Sequence, residues 1–352
     1  MAIFGMLPAL SWDPISYAVA RFLAGVGQGG SFTVYLVHLM EFLTPSWRAV
    51  CGCVSFWPLG EMLLGLVAYL VPNWRFITIA TAIPAYVVLL FLPYIVESPR
   101  WLLTRKRTKE AYEIFQKIAR WNNKPPPQIV TIEALQATIL KEEADVLKGI
   151  EGIKQVVKDR RLRVLLAILT WANATCSIVY YGVAFSAKNL SGSPYLNILY
   201  MGIMDVLIIP VSLFMNNRVG RKKSYIGCTS FSTLFLVAII VMHFWNDWSE
   251  TYPLVITGFA LLARFGIVCC WTTLYCINME TFPTTLRSIC MGWTVYAAYL
   301  AGIFAPQTIV LGNISPVLPY VLYACMTTAT LGLSWFLRET KDEPLKDTLN
   351  SP

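Results

Sequence analysis

Four Asp, Glu or Arg residues stand well inside long apolar stretches of the sequence: Arg21, Glu61, Asp205 and Arg264. A charge without water around it is costly, so such a group attracts an ion, pairs with an opposite charge or takes up a proton. Asp205, in the middle of LYMGIMDVLII, is a candidate for all three. Arg264 is a candidate for holding an anion or for neutralising Asp205. These residues predict an ion-binding site in an apolar interior.

Glu61, halfway along the apolar stretch that contains PLGEMLLG, has two interpretations. It is an additional site for a cation or a proton, or it is the partner of Arg21. Arg21 lies near the end of its own stretch, where a long arginine can extend its head group into water. This structural role is the alternative to an ionic function for Arg21.

Aromatic residues in the same stretches offer a second way of holding a cation, over the face of a ring. Tyr180, Tyr181, Trp271 and Tyr299 are the candidates. A single aromatic residue in an apolar helix packs more often than it binds a ligand, so packing is the alternative for each of them.

A short sequence motif occurs twice in the chain, as MEFLTPSWR and as METFPTTLR. Each copy places a glutamate and an arginine seven residues apart, Glu41 with Arg48 and Glu280 with Arg287. An exposed pair across a helix junction contributes about 0–1 kcal/mol, so it can break as the helices move. We predict a conformational switch at both copies, with a static pair at helix ends as the alternative. The repeat also indicates two duplicated halves.

The elements that carry these residues are predicted to be membrane-spanning helices. Of the 352 residues, 56% are hydrophobic and 14% charged, with a mean hydropathy of +0.57, whereas about a quarter of a soluble domain is charged. An apolar run of about 20 residues crosses a bilayer as a helix, because unpaired backbone polar groups cannot remain in lipid. Nine spans are predicted, at residues 16–40, 49–71, 75–96, 162–186, 195–215, 224–244, 253–278, 289–311 and 316–337. The predicted fold class is an all-α, polytopic transmembrane bundle.

The net charge of +8 lies in loops, and this distribution favours a lipid bilayer over nucleic acid as the partner. Residues 97–163 contain fifteen Lys and Arg, and NRVGRKK forms a second basic group. The positive-inside rule therefore places the loop 97–161 and the C-terminus in the cytosol. We predict a helical bundle over 1–96, a cytosolic connector with amphipathic helices over 97–161, a six-helix bundle over 162–340 and a tail over 341–352.

No pattern typical of catalysis is present in the sequence. The chain has two histidines and lacks a phosphate-binding loop, metal-ligand spacing and a Ser/His/Asp set, so no enzyme, cofactor or metal site is predicted. The nine cysteines lie almost entirely in the spans and are interpreted as buried thiols. Asn189 and Asn313 stand in glycosylation sequons, in loops close to the membrane.

An ordered set of motifs resembles the organic cation/anion/carnitine transporter branch of the major facilitator superfamily: RFLAGVGQGG, ESPRWLL, YYG, NRVGRKK, METFPTTLR and LRETKDEPLKDTL. The resemblance covers nearly all of the chain, and ESPRWLL is its most specific part. That family has twelve helices. The resemblance implies a major facilitator fold lacking roughly its first two helices, with the end of helix three and helices four to twelve present. It also implies transport by alternating access to a central cavity. The family resemblance further implies a location in the plasma membrane.

The resemblance implies roles for further residues. Phe32 and Thr272 align with positions that line the cavity in that family, and Asp205 stands where the family usually has a glutamate involved in cation recognition. Tyr299 stands where cation transporters tend to have Asp and anion transporters Arg, so this indicator of charge preference is neutral here. The switch candidates implied by NRVGRKK are Arg218, Gly220 and Arg221.

These features favour transport of small organic ions by alternating access, with cations or zwitterions preferred because of Asp205 and Glu61. The alternative is a truncated, transport-inactive membrane protein or fragment that acts only with a full-length relative. Substrate identity, coupling ion and oligomeric state are not predicted.

Overall fold

The computed structural model describes residues 2–42, 57–147, 154, 156–186, 190–245, 252–282 and 284–340. Within these residues the chain forms fourteen α-helices and two short 3-10 turns, and it contains no β-strand. The α-helices are α1 (Ala2–Met6), α2 (Pro14–Phe42), α3 (Trp57–Leu70), α4 (Trp74–Phe91), α5 (Pro99–Thr104), α6 (Thr108–Trp121), α7 (Ile129–Leu147), α8 (Arg160–Phe185), α9 (Pro194–Arg218), α10 (Arg221–Phe244), α11 (Pro253–Thr281), α12 (Thr284–Gly302), α13 (Gln307–Ile314) and α14 (Leu318–Ser334).

Six helical segments of the described chain are long and apolar enough to cross a membrane: Trp74–Tyr94, Arg160–Phe185, Pro194–Arg218, Arg221–Phe244, Pro253–Thr281 and Ile289–Ile314. They coincide with six of the nine predicted spans. The other three predicted spans correspond to α2, to α3 and to α14, a helix of 17 residues. Part of the predicted span 49–71 lies outside the described residues. The all-α, polytopic fold class is confirmed.

Side-chain caps fix where several helices begin. The Ser98 Oγ accepts a hydrogen bond from the Trp101 N–H, and Pro99 occupies the first turn of α5, as expected for a helix start. The Oδ2 of Asp13 accepts the N–H groups of Ile15 and Ser16 at 3.1 Å each at the start of α2. Hydrogen bonds from Ser16 hold the pKa of the exposed Asp13 carboxyl below its ordinary value.

The chain divides into two compact units, Met1–Val54 with Val67–Lys148 and Ser55–Leu66 with Gly149–Pro352. In the first unit, α5, α6 and α7 share a small apolar core that includes Leu102, Leu103 and Ala111. These three helices lie within the predicted connector and bury one face each, as amphipathic helices do. The domain boundaries predicted from the charge pattern remain a prediction.

In the second unit, α10 and α11 approach closely because small residues face each other. A Cβ added to Gly266 would lie 2.9 Å from the Ser232 Cβ and 3.0 Å from the Cys228 carbonyl oxygen. The Ser232 Oγ also donates to the Ala263 carbonyl at 2.9 Å, so a polar contact joins the same two helices. Lipid provides little hydrophobic drive between helices, and close approach at small residues replaces it.

Replacing Gly266 with alanine is expected to push α10 and α11 apart, because the added Cβ meets backbone atoms that cannot rotate away. We expect Gly266→Ala to lower the free energy of unfolding by about 1–3 kcal/mol. The measurement is denaturant unfolding in detergent micelles, followed by circular dichroism. The matched control is Gly258→Ala in the same helix, where an added Cβ meets nothing within 4 Å. Equal stability of the two variants would contradict the close-packing interpretation.

Candidate functional site

Three buried ionic side chains meet inside the second unit, and we call Glu61, Asp205 and Arg264 the charge cluster. The Nη2 of Arg264 lies 2.8 Å from both carboxylate oxygens of Glu61 and 2.8 Å from the Oδ2 of Asp205. The side chains of Arg264 and Asp205 are 1% and 2% exposed, and that of Glu61 is 13% exposed. The cluster therefore holds one guanidinium between two carboxylates, almost without solvent.

Tyr180 of α8 joins the charge cluster through its ring and its hydroxyl. The Arg264 guanidinium carbon lies 4.1 Å from the centre of the Tyr180 ring, which is cation–π geometry. The Trp57 Nε1 donates to the Tyr180 hydroxyl at 3.0 Å. That hydroxyl has one hydrogen to donate, and it faces Glu61 Oε2 at 3.2 Å and Asp205 Oδ2 at 3.1 Å. Tyr180 can thus satisfy one carboxylate at a time.

Further aromatic rings continue from Tyr180. Its ring stands edge-on to Trp271 at 5.5 Å and to Tyr181 at 5.2 Å, measured between ring centroids. Tyr181 in turn stacks on Phe185 at 6.2 Å. Such edge-to-face pairs fix the orientation of each ring. The charge cluster therefore has an aromatic wall, formed by Tyr180, Tyr181, Trp271 and Phe185.

Glycines set the distance between the helices that carry the two carboxylates. A Cβ added to Gly202 of α9 would lie 2.9 Å from the Met62 N and 3.1 Å from the Pro58 carbonyl oxygen of α3. A Cβ added to Gly65 of α3 would lie 2.9 Å from the Leu199 N of α9. The two backbones touch at both glycines, and this contact brings Glu61 beside Asp205.

The charge cluster carries a net charge of −1 when every member is ionised, because two carboxylates face one guanidinium. A bilayer-spanning helix tolerates a buried charge only where it is paired. The excess negative charge therefore favours a cation or a proton. Within the described residues, no group of three or more His, Cys, Asp or Glu side chains is arranged to hold a metal ion.

The structure places the remaining ligand candidates as follows. Thr272 of α11 donates its hydroxyl to the Cys269 carbonyl of its own helix at 2.9 Å. Tyr299 of α12 is 54% exposed. Arg21 donates from its Nε to the Tyr17 hydroxyl at 3.0 Å in its own helix. Glu61 has Arg264 as its partner, so its predicted pairing with Arg21 is not what the structure shows. The side chain of Phe32 lies outside the described residues.

Two of the predicted switch residues, Arg221 and Glu280, meet in a second polar group, which we call the helix-end cluster and which also contains Glu339 and Thr340. The Arg221 Nη2 donates to the Glu280 Oε1 at 3.0 Å, and its Nε donates to the same oxygen at 3.2 Å. The Thr340 hydroxyl donates to the other oxygen of Glu280. Glu280 is therefore paired with the basic NRVGRKK segment. Its predicted partner Arg287 has a side chain outside the described residues.

Glu339 caps the start of α10, although it lies 118 residues after Arg221 in the sequence. Its Oε1 accepts the Arg221 N–H at 2.7 Å and the Lys222 N–H at 3.4 Å, where the helix dipole favours a carboxylate. Gly220 has φ +104°, and a Cβ there would lie 2.7 Å from the Glu339 Oε2. Glycine is thus required at this position for both its backbone angle and its lack of a side chain.

Of the other switch candidates, Glu41 lies at the end of α2 and is partly buried, and Arg218 ends α9. Arg48 lies outside the described residues. Sequence reasoning missed the roles of Trp57 and Glu339. The signal for Glu339 was its place in the motif LRETKDEPLKDTL, whereas Trp57 had no signal beyond its position at the start of an apolar run.

Membrane-length helices that converge on a buried ionic cluster define a polytopic membrane protein with a charged site in its apolar interior. The chain matches the Sugar (and other) transporter family over residues 1–349 and belongs to that family. It is 31% identical to Organic cation/carnitine transporter 4 from Arabidopsis thaliana, over 99% of this chain and 65% of that protein. It is 28% identical to Organic cation/carnitine transporter 2 from Rattus norvegicus, over 99% of this chain and 61% of that protein. These relatives confirm the resemblance drawn from the motifs.

Solved structures confirm the major facilitator fold. The inward-open conformation of the xylose transporter XylE from E. coli superposes with a TM-score of 0.69 at 18% identity, covering 98% of this chain and 79% of that one. The chain spans less than two thirds of the length of the curated relatives named above. The family and its relatives are transporters and not enzymes, as the sequence predicts.

Removing the base of the charge cluster is expected to be far more damaging than neutralising one acid. Arg264→Met leaves two buried carboxylates without a base and is expected to lower the free energy of unfolding by about 3–5 kcal/mol. Glu61→Gln leaves a neutral Arg264–Asp205 pair and is expected to cost less than about 1 kcal/mol. Denaturant unfolding in detergent measures both values. An equal loss in both variants would show that the cluster carries no excess negative charge.

A side chain at Gly220 is expected to displace the Glu339 cap. We expect Gly220→Ala to cost about 1–3 kcal/mol, because alanine at this φ is strained, and to speed hydrogen exchange at the amides of Arg221 and Lys222. The matched control is Gly227→Ala in α10, where an added Cβ meets open space. Exchange at the two amides is measured by mass spectrometry after proteolysis. Unchanged exchange in Gly220→Ala would remove Glu339 from this role.

Proposed function

We propose that the protein transports small organic ions across a membrane, with cations or zwitterions preferred, and that the charge cluster binds the charged group of the substrate. The observation that carries this proposal is the sharing of one buried guanidinium by two buried carboxylates. A site with this excess of negative charge attracts a cation that has left water. The names of the relatives as organic cation/carnitine transporters support the same conclusion.

A substrate cation reaches the carboxylates by competing with Arg264. In the structure, Arg264 occupies the oxygens of Glu61 and Asp205 and lies over the face of Tyr180. An organic ammonium group can replace Arg264 at the carboxylates and over the Tyr180 ring, because the carboxylates supply negative charge and the ring supplies a cation–π face. The aromatic wall then contacts the apolar part of the substrate. Arg264 acts as an internal cation that pairs with the carboxylates in the absence of substrate.

The same geometry distinguishes the charge classes of substrate. A zwitterion can place its cationic end on the carboxylates and its anionic end on the displaced Arg264. A simple anion has to compete with both Glu61 and Asp205 for that single guanidinium, and both carboxylates repel the anion. We therefore rank cations and zwitterions above anions.

The helix-end cluster is proposed as a contact that breaks and reforms during alternating access. Its ion pair between Arg221 and Glu280 has side chains about one fifth exposed, 20% and 23% respectively, so water can reach both partners when the pair separates. Glu41, Arg48, Arg218 and Arg287 are proposed to act at equivalent helix ends. We place the connector 97–161 and the C-terminus in the cytosol, following the positive-inside rule. The resemblance to the organic cation/anion/carnitine transporters supports a location in the plasma membrane.

The binding proposal predicts that Asp205 is required for cation recognition. We expect Asp205→Asn to weaken binding of radiolabelled tetraethylammonium by at least about tenfold, because one of two carboxylates is lost next to Arg264. Asp205→Glu is expected to retain part of the binding. The measurement is equilibrium binding to the purified chain in lipid nanodiscs.

The control for this prediction is Asp13→Asn, the same chemical change at an exposed helix cap. It is expected to bind like the unchanged chain. Unaltered binding in Asp205→Asn would remove Asp205 from the site. Failure of the unchanged chain to bind any organic cation or zwitterion would favour the alternative, a membrane protein that acts only with a full-length relative.

A further inference from the structure

We propose that the charge cluster holds one proton in the absence of substrate, that Glu61 carries it, and that an arriving organic cation expels it. The protein then exchanges organic cations for protons. This inference rests on the proposed function, because it assigns the second ion to the same site.

The charge count around Glu61 requires a further positive charge. Arg264 of α11 is the basic side chain that pairs with it, and Asp205 of α9 competes for the same Nη2. The other titratable groups that face Glu61 are the hydroxyls of Tyr180 and Tyr181 on α8, which are neutral. Among the described residues these groups leave a buried charge of −1. A bound proton makes the cluster neutral.

The hydrogen-bond count leads to the same conclusion. The Arg264 Nη2 carries two hydrogens but lies 2.8 Å from three carboxylate oxygens. The Arg264 Nε is 3.5 Å from the Asp205 Oδ1, which is a long contact, and its Nη1 faces the Met201 sulfur. Tyr180 supplies one more hydrogen. Protonation of one carboxylate adds a hydrogen-bond donor to a cluster that has fewer donor hydrogens than acceptor oxygens.

Glu61 is the better carrier of that proton. Asp205 is approached by both Nε and Nη2 of Arg264, whereas Glu61 is approached by Nη2 alone. Asp205 is 2% exposed and Glu61 is 13% exposed, so Glu61 is the carboxyl nearer to water. Arg264 and Asp205 thus form the ion pair of the substrate-free cluster, and the proton on Glu61 can leave to solvent.

The exchange balances charge in each direction. With Glu61 protonated, the cluster is neutral. A cation that enters adds one positive charge, and the Glu61 O–H bond breaks, which releases a proton to water and returns the cluster to neutrality. A zwitterion brings no net charge and releases no proton. Proton release therefore separates cation binding from zwitterion binding at this site.

The test measures protons released on binding. The purified chain in nanodiscs is placed in weakly buffered solution with a pH indicator, and tetraethylammonium, which has no dissociable proton, is added. We expect one proton released for each cation bound. Glu61→Gln removes one of the two carboxylates together with the proton carrier, so it is expected to bind the cation more weakly and to release no proton for each cation that does bind. The control Glu133→Gln, at an exposed position of α7 outside the cluster, is expected to match the unchanged chain.

A second measurement needs no substrate. Infrared spectra of the chain without ligand are expected to show the carbonyl band of a protonated carboxylic acid, which Glu61→Gln removes and Glu133→Gln retains. Cation binding to the unchanged chain without proton release, or an infrared band that Glu61→Gln leaves unchanged, would falsify the proton assignment and leave the proposed function standing. Absence of cation binding with the band present would overturn the proposed function and the exchange but retain the proton on Glu61.

Discussion

A guanidinium buried in a helix that crosses a bilayer has to find its counter-charges on neighbouring helices, and this constraint organises the second unit. Arg264 is the largest fully buried side chain among the described residues. Its own helix supplies none of its partners: Glu61 comes from α3, Asp205 from α9 and the Tyr180 ring from α8. Removal of an arginine charge from water costs several kcal/mol unless it is paired. Four helices must therefore meet at one point.

Small residues make that convergence possible. Gly65 and Gly202 let α3 and α9 touch backbone to backbone, and Gly266 does the same for α11 against α10. Lipid-exposed apolar side chains gain little from packing on each other, because lipid tails solvate them equally well. Glycine contacts thus set the spacing of the helices, and the ionic contacts select which faces meet. Neither feature alone specifies the cluster.

The sequence predicts the helices and the ionic residues well, because both depend on local pattern. Apolar run length gives the helices, and a lone Asp, Glu or Arg within a run is conspicuous. The pairing could not be predicted, since Glu61 and Arg264 are 203 residues apart and their contact depends on which helices become neighbours. The same reason explains Glu280, which pairs with Arg221 across 59 residues. Trp57 could not be recognised, because its indole N–H matters only once α8 brings Tyr180 to it.

The charge cluster and the helix-end cluster each include one residue of α11. Arg264 and Glu280 are sixteen residues apart in α11, about 24 Å along a continuous helix. Three contacts join α11 to α10: the close approach at Gly266, the hydrogen bond from the Ser232 hydroxyl and the Arg221–Glu280 ion pair. No comparable set of contacts ties Glu61 to α11 among the described residues beyond its pairing with Arg264. If substrate displaces Arg264 from Glu61, α3 loses this contact with α11 but remains joined to α9 at Gly65 and Gly202, while α10 and α11 remain joined to each other. We infer that α3 separates from α11 before the helix-end cluster opens, because the contacts of that cluster do not depend on the carboxylates that the substrate occupies.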